Sequence, residues 1–288
     1  MLDIRTYRID KNDTCSLGDW KVNYDKLPSG IDGLAEKINK IGMKFGLWFE
    51  PEMISPDSDL YREHPDWAIH IDEREGVQSR NQMVLDLSRD EVCEYVINAV
   101  SDILANANIE YVKWDMNRQL TDMPRLGYNH EYTLGYYKIM SAITEKFPNI
   151  LFEGCSAGGG RFDAGVLAYM PQIWTSDNSD AIARLKMQYS TSMCYPVYSI
   201  SSHVTASPNH QCGRVTSLKT RADVAYCGTF GYELNPNSLT EAEREAIKKQ
   251  TAFMKEHRSL IQYGTFYRLQ SPFAGNEMAW MVVSEDKK

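Results

Sequence analysis

The chain has 288 residues, 43% hydrophobic and 24% charged, with a net charge of −8, which is an ordinary globular balance sufficient for one large domain or two modest ones. That acidic surplus argues against nucleic acid or an anionic membrane as partner, and no apolar run approaches the length of a membrane span. Six scattered cysteines (Cys15, Cys93, Cys155, Cys194, Cys212, Cys227) without a Cys-x-x-Cys pair, and no charged-then-apolar leader, read as reduced thiols of a cytoplasmic protein.

Helix-like and strand-like segments alternate along the chain. Ile31, Leu34, Ile38 and Ile41 recur at helical spacing and predict a helix over 30–41, followed by a buried strand over 43–49. Val92, Val96, Val100 and Ile103 predict a helix over 90–105 with Ser88 as its N-cap. A strand over 109–114, a loop with Pro124 and Gly127, and a helix over 131–146 follow. Short strands at 149–152 and 172–175 bracket a predicted helix over 159–169. Beyond them come a helix over 180–193, the segment 195–201, a helix over 219–226, strand-like 228–234 and a long helix over 240–258. Repeated strand–helix units of this size favour a parallel sheet, and their number fits an α/β barrel better than a short doubly wound sheet. No G-x-G-x-x-G or P-loop is present, and Gly158-Gly159-Gly160 lacks the Lys-Ser/Thr of a phosphate cradle. The segment 262–283 is strand-rich, as if a β-domain begins there.

Two acidic residues end apolar runs: Asp115 after Ile109–Trp114, and Asp177 after Pro171–Trp174 with Thr175 and Ser176 between. In a barrel the carboxyl ends of strands build the active site, so both would face a cleft. Paired carboxylates of this kind are the machinery of a glycosidase, one as nucleophile and one as acid/base. Lys113, two residues before Asp115, points the same way along the strand and would keep it ionised; a buried structural ion pair is the competing account of that cluster, which also holds Asn117 and Arg118. Asp177 or Ser179 as a mere helix cap competes in the same way, and Asp180 reads as first-turn helix chemistry. Trp48 reads as a stacking platform or a core residue, and Glu50 as a hydrogen-bond acceptor or a rim ion pair. Arg80 lies in a polar loop, and Cys155 stands at another strand end. His203 and His210 have no partner at metal-ligand spacing and read as loop packing, so no metal or cofactor is expected.

These residues resemble the α-galactosidases of glycoside hydrolase family 36, in clan D. The resemblance rests on SLGDW at Ser16–Trp20, GLWFEPEM at Gly46–Met53, SPDSDLY at Ser55–Tyr61, HPDW at His64–Trp67, LDLS at Leu85–Ser88, YVKWDMNR at Tyr111–Arg118, CSAGGGRFD at Cys155–Asp163 and WTSDNSDA at Trp174–Ala181. It implies a (β/α)8 TIM barrel, incomplete because its first strand is missing, over 1–261, and the start of a C-terminal β-domain over 262–288. It also implies a retaining exo-α-galactosidase acting on melibiose- and raffinose-type sugars through a covalent galactosyl-enzyme. Asp115 matches the nucleophile and Asp177 the acid/base, while Asp3, Trp48, Arg80, Lys113, Asn117 and Cys155 match substrate-binding positions. Retaining chemistry would set the two carboxylates about 5–5.5 Å apart. A homo-oligomer is implied for a full-length parent. One departure stands out: the family's Leu-Asp-Asp-Gly-Trp strand reads here Leu2-Asp3-Ile4-Arg5-Thr6, which removes half of a carboxylate clamp on the sugar. Losing a charged acceptor of that kind costs about 1.5–3 kcal/mol. The alternative reading is therefore a catalytically impaired fragment that only binds carbohydrate or associates with other chains.

Overall fold

The computed structural model describes the backbone of Leu2–Asp3 and residues 15–287. The chain divides into two compact units, Met1–Ala157 with Asp163–Pro171, and Gly158–Phe162 with Gln172–Lys288.

In the first unit the elements run β1 (Leu2–Asp3), α1 (Gly30–Lys40), β2 (Gly46–Phe49), β3 (Met53–Ile54), α2 (Asp59–Glu63), β4 (Met83–Val84), α3 (Asp90–Ala105), β5 (Tyr111–Trp114), α4 (Tyr128–Lys146) and β6 (Leu151–Gly154). Strands β1, β2, β5 and β6 pair in that order, all parallel. Leu47, Val112 and Phe152 fall in register across this sheet and are each at most 1% exposed, so one apolar layer runs through three strands. Parallel neighbours need a crossover, and the helices supply it. Val92, Val96, Val100 and Leu104 line the buried face of α3, and Tyr132, Tyr136, Ile139 and Ile143 that of α4. Helix α4 approaches the chain before α3 so closely that a Cβ at Gly135 would lie 1.8 Å from the Leu87 carbonyl oxygen; only glycine fits. The buried Glu52 carboxylate ties sheet to helix, accepting from Trp114 Nε1 at 2.8 Å and from the Tyr132 hydroxyl at 2.7 Å.

The second unit carries β7 (Gln172–Trp174), α5 (Ala181–Thr191), β8 (Ile200–Thr205), α6 (Leu218–Ala225), β9 (Thr229–Glu233), α7 (Glu241–Tyr263), β10 (Thr265–Gln270) and β11 (Ala279–Val283). Strands β7, β8 and β9 are parallel neighbours, and β10 and β11 form an antiparallel pair. Each helix starts on a side-chain cap: Asp180 for α5, Ser217 for α6, and Thr240 in a capping box with Glu243 for α7.

The strand–helix alternation agrees with the sequence pattern, with local exceptions. The helix expected over 159–169 is absent; only a 3-10 turn, Val166–Ala168, forms there, held by Asp163 Oδ1 accepting from the Gly165 and Val166 N–H groups. Ser88 does not cap α3: its hydroxyl donates to Asp86 Oδ1 at 2.6 Å, and the helix starts after Arg89 without a side-chain cap. The segment 195–201 is a 3-10 turn (Val197–Ser199) leading into β8. Helix α7 runs on to Tyr263, since nothing between Arg258 and Gly264 breaks it. All six cysteines are free.

Candidate active site

The first unit builds a carboxylate site at the end of β5. Asp115 is 6% exposed, and its backbone N–H donates to the Phe49 carbonyl at 2.8 Å, continuing the ladder one residue past the strand. Three donors converge on its side chain. Trp48 Nε1 and Asn117 Nδ2 reach Oδ2 at 3.0 and 2.8 Å, and the Met116 N–H reaches Oδ1 at 2.9 Å. Donors to both oxygens fix the plane of the carboxylate. The indole N–H of Trp48 is thus engaged in orienting a carboxylate, a use that a stacking reading does not anticipate. The strand register places Trp48 between Asp3 of β1 and Lys113 of β5, and Lys113 in turn beside Glu153 of β6. The Asp3 side chain and the Ile4–Thr6 departure lie outside the described residues. Cys155, just past β6, is buried and holds the same loop, accepting from the Met116 N–H at 3.1 Å through its carbonyl.

Behind Asp115 lies Glu50, 2% exposed. Its Oε1 accepts from the Asn117 N–H at 2.6 Å and its Oε2 from Gln82 Nε2 at 3.2 Å. Burial, and next the negative charge of Asp115, push its carboxyl up to about 7, against the opposing pull of Asn117 and Arg80. The sign for stability follows from linkage. Below the ordinary carboxylate value of 4.5 the group is protonated in both folded and unfolded chains. As pH rises, the unfolded chain ionises first, so stability falls until the folded group ionises at about 7. A shift of that size corresponds to about 3 kcal/mol. Glu50→Gln is therefore expected to flatten the decline between pH 5 and 8 and to be more stable than the parent at pH 8. Urea midpoints of both chains at the two pH values measure it; a parent curve with no decline refutes the assignment.

Arg80 is exposed, on a two-residue turn closed by reciprocal backbone hydrogen bonds between Ser79 and Gln82. Arg80 and Asn81 both have left-handed backbones, φ 55° and 58°, the signature of a type I′ hairpin. Arginine is an uncommon residue there, and its positive charge opposes the upward shift of the Glu50 carboxyl. The segment is anchored by the buried Arg118, which donates to the Val77 carbonyl, and by Asp122 Oδ2, which accepts from the Val77 N–H at 3.0 Å.

The second unit presents Asp177 just beyond β7, exposed to solvent. Its loop is held from behind. Arg184 of α5, 3% exposed, donates from Nε to the Asn178 carbonyl at 2.9 Å and from Nη2 to the Ser176 carbonyl at 2.6 Å, with a further bond to Thr175 Oγ1. The same guanidinium lies 4.0 Å from the Trp174 ring centroid. The glycine run completes the seat: a Cβ at Gly158 would lie 2.6 Å from Ser176 Cα, and one at Gly159 2.6 Å from the Thr175 carbonyl oxygen. Those glycines serve backbone-to-backbone contact under Asp177. The expected cap is reassigned here: Asp180 Oδ2 accepts from the Ala183 N–H at 3.0 Å, while Ser179 Oγ accepts from Asn209 Nδ2 at 3.2 Å. His203 stands on β8 instead of in a loop, its ring 4.6 Å from that of Trp174. Arg184 was not singled out from the sequence; its one local signal is a cationic residue four positions after a helix cap.

Comparisons with known proteins identify the relatives of the chain. The family model described as Melibiase matches residues 2–264. Alpha-galactosidase AgaA of Geobacillus stearothermophilus is 57% identical over 284 residues, covering 96% of this chain and 39% of its own length. The bifunctional alpha-galactosidase/sucrose kinase AgaSK of Mediterraneibacter gnavus is 51% identical, covering 96% of this chain and 30% of its own. A variant of the Geobacillus AgaA solved in complex with raffinose superposes with a TM-score of 0.96 at 55% identity, over 99% of this chain and 41% of that one. Another was solved with stachyose, also at a TM-score of 0.96. The chain thus spans about two fifths, or less, of the length of these relatives.

Proposed function

The chain belongs to the melibiase family, alongside the α-galactosidases of glycoside hydrolase family 36, and from that premise we propose that it is a retaining exo-α-galactosidase acting on melibiose- and raffinose-type oligosaccharides. Asp115 attacks the anomeric carbon as the aglycone leaves, forming a β-linked galactosyl-enzyme. Asp177 protonates the departing glycosidic oxygen and then takes a proton from the water that releases galactose with its α configuration retained. Trp48 and Asn117 orient the nucleophile through Oδ2, and Asp3, Arg80, Lys113 and Cys155 complete the substrate-binding set. The observation that carries this reading is the strand-end carboxylate of Asp115 fixed by three converging donors. An incomplete (β/α)8 barrel, with β10 and β11 opening a C-terminal β-domain, belongs to the same proposal; the parallel strand–helix alternation in each unit supports it.

An activated fluorinated galactosyl donor, which forms the covalent intermediate faster than water releases it, tests the assignment. Mass spectrometry of the digested protein is expected to find the sugar on the peptide carrying Asp115. Sugar on another side chain would refute it, and binding of melibiose without labelling or turnover would favour the carbohydrate-binding alternative.

A further inference from the structure

Glu50 does work that the double displacement does not require. It is buried, with only 2% of its surface exposed, and it stands one residue removed from the nucleophile: Glu50 Oε1 accepts from the Asn117 N–H, and the Asn117 side chain donates to Asp115 Oδ2. We propose that Glu50 is a proton-responsive positioning residue, whose protonation state sets how firmly Asn117 holds Asp115 and how much negative charge stands beside it. The catalytic consequence rests on the α-galactosidase reading; the proton switch itself does not.

The geometry provides for both charge states. Ionised, Glu50 takes the Asn117 N–H at 2.6 Å in a short charge-assisted bond, and its other oxygen takes Gln82 Nε2 at 3.2 Å. In that orientation the Gln82 side-chain oxygen is buried and, among the described residues, has no hydrogen-bond partner. A protonated Glu50 needs an acceptor for its new O–H. Gln82 supplies one when its amide turns over, because a side-chain amide carries an acceptor and donors on the same carbon. The group that gains nothing from the ionised state is thus the one the neutral state requires, so Glu50 can take up a proton from solvent and lose it again without leaving its carboxyl unsatisfied. The charges bearing on it are Asp115 at the end of β5 and Arg80 on the turn from Ser79 to Gln82, opposite in sign. Protonation removes the charge from the Asn117 bond and removes a like charge from beside Asp115. The buried carboxyl is held near neutrality, where such a change falls within the working range of a protein.

Two N–H resonances read the switch directly in the 288-residue chain: the Asn117 amide, which donates to Glu50, and the Trp48 indole, which donates to Asp115. Between pH 5 and 9 both are expected to titrate with a shared midpoint near 7, and Glu50→Gln, which keeps an acceptor for Asn117, is expected to abolish both titrations. Asp115→Gly removes the like charge without turning an amide toward Trp48 and Asn117, and is expected to lower the Asn117 midpoint, which decides the matter even where Glu50→Gln fails to fold. In turnover, the parent's log kcat/KM is expected to show an inflection near pH 7 that Glu50→Gln lacks while still being labelled at Asp115. Resonances that stay still across this range, or that titrate unchanged in Glu50→Gln, overturn the proposal. A chain without turnover whose two resonances titrate as described counts against the hydrolase reading and supports the switch; turnover with immobile resonances does the reverse.

Discussion

Replacing Asp115 by glycine is expected to lower kcat/KM on an aryl α-galactoside by at least about 10⁴-fold, and added azide is expected to restore turnover with β-galactosyl azide as the product. The structural reason is that neither glutamate following β2 can take this role. Glu50 is sealed behind Asp115 and engaged with Asn117 and Gln82, and Glu52 is fully buried between Trp114 and Tyr132. Glycine is the informative replacement. Asparagine would offer one acceptor oxygen to three donors, turning its own NH₂ toward Trp48 and Asn117 or toward Met116, and would confuse lost nucleophilicity with a broken network. Glycine instead leaves a space the size of a carboxylate, lined by those donors, which a small anion can occupy. Azide entering there attacks the face that Asp115 used, so the product is inverted relative to the α-linked donor. Product anomer is read by proton NMR. Formation of α-galactosyl azide, or a loss of less than tenfold, would remove Asp115 from the nucleophile's role.

Much of this site is legible in the sequence because its outline is local. An apolar strand followed at once by a carboxylate, with a lysine two residues back, says where the chain leaves the sheet and which group it leaves there; β5 and Asp115 follow from that pattern alone. What the sequence pattern hides depends on partners distant along the chain. Asn117 and Glu50 meet across 67 positions and Gln82 and Glu50 across 32, so the raised carboxyl of Glu50 has no local mark beyond its place after β2. The failed helix over 159–169 has the same cause. Gly158 takes a left-handed backbone, φ 87°, and with Gly159 packs directly on Thr175 and Ser176, leaving the chain only a short 3-10 turn further on. Ser88 illustrates competition between two local solutions: its hydroxyl is taken by Asp86, and the acidic Asp90 and Glu91 begin the helix instead.

Asp177→Ala is expected to show the complementary behaviour. Proton transfer to the leaving oxygen contributes about 10²–10⁴-fold, so kcat/KM on melibiose, whose aglycone is a poorly acidic sugar hydroxyl, is expected to fall by that factor. On a nitrophenyl α-galactoside the leaving group departs without protonation, and the galactosylation step is expected to be nearly spared, with the galactosyl-enzyme accumulating because water lacks its base. Azide needs no base. It attacks that intermediate from the face opposite Asp115, and the product is α-galactosyl azide, the anomer opposite to the one from the Asp115→Gly protein. The fold is expected to tolerate the change within about 0.5 kcal/mol, since Asp177 is exposed while its loop is held by Arg184 and the glycine seat. That separation makes the kinetic result interpretable: the loop stays in place and only the carboxyl is gone. Equal losses on both donors, or the β anomer from azide, would take proton transfer away from Asp177.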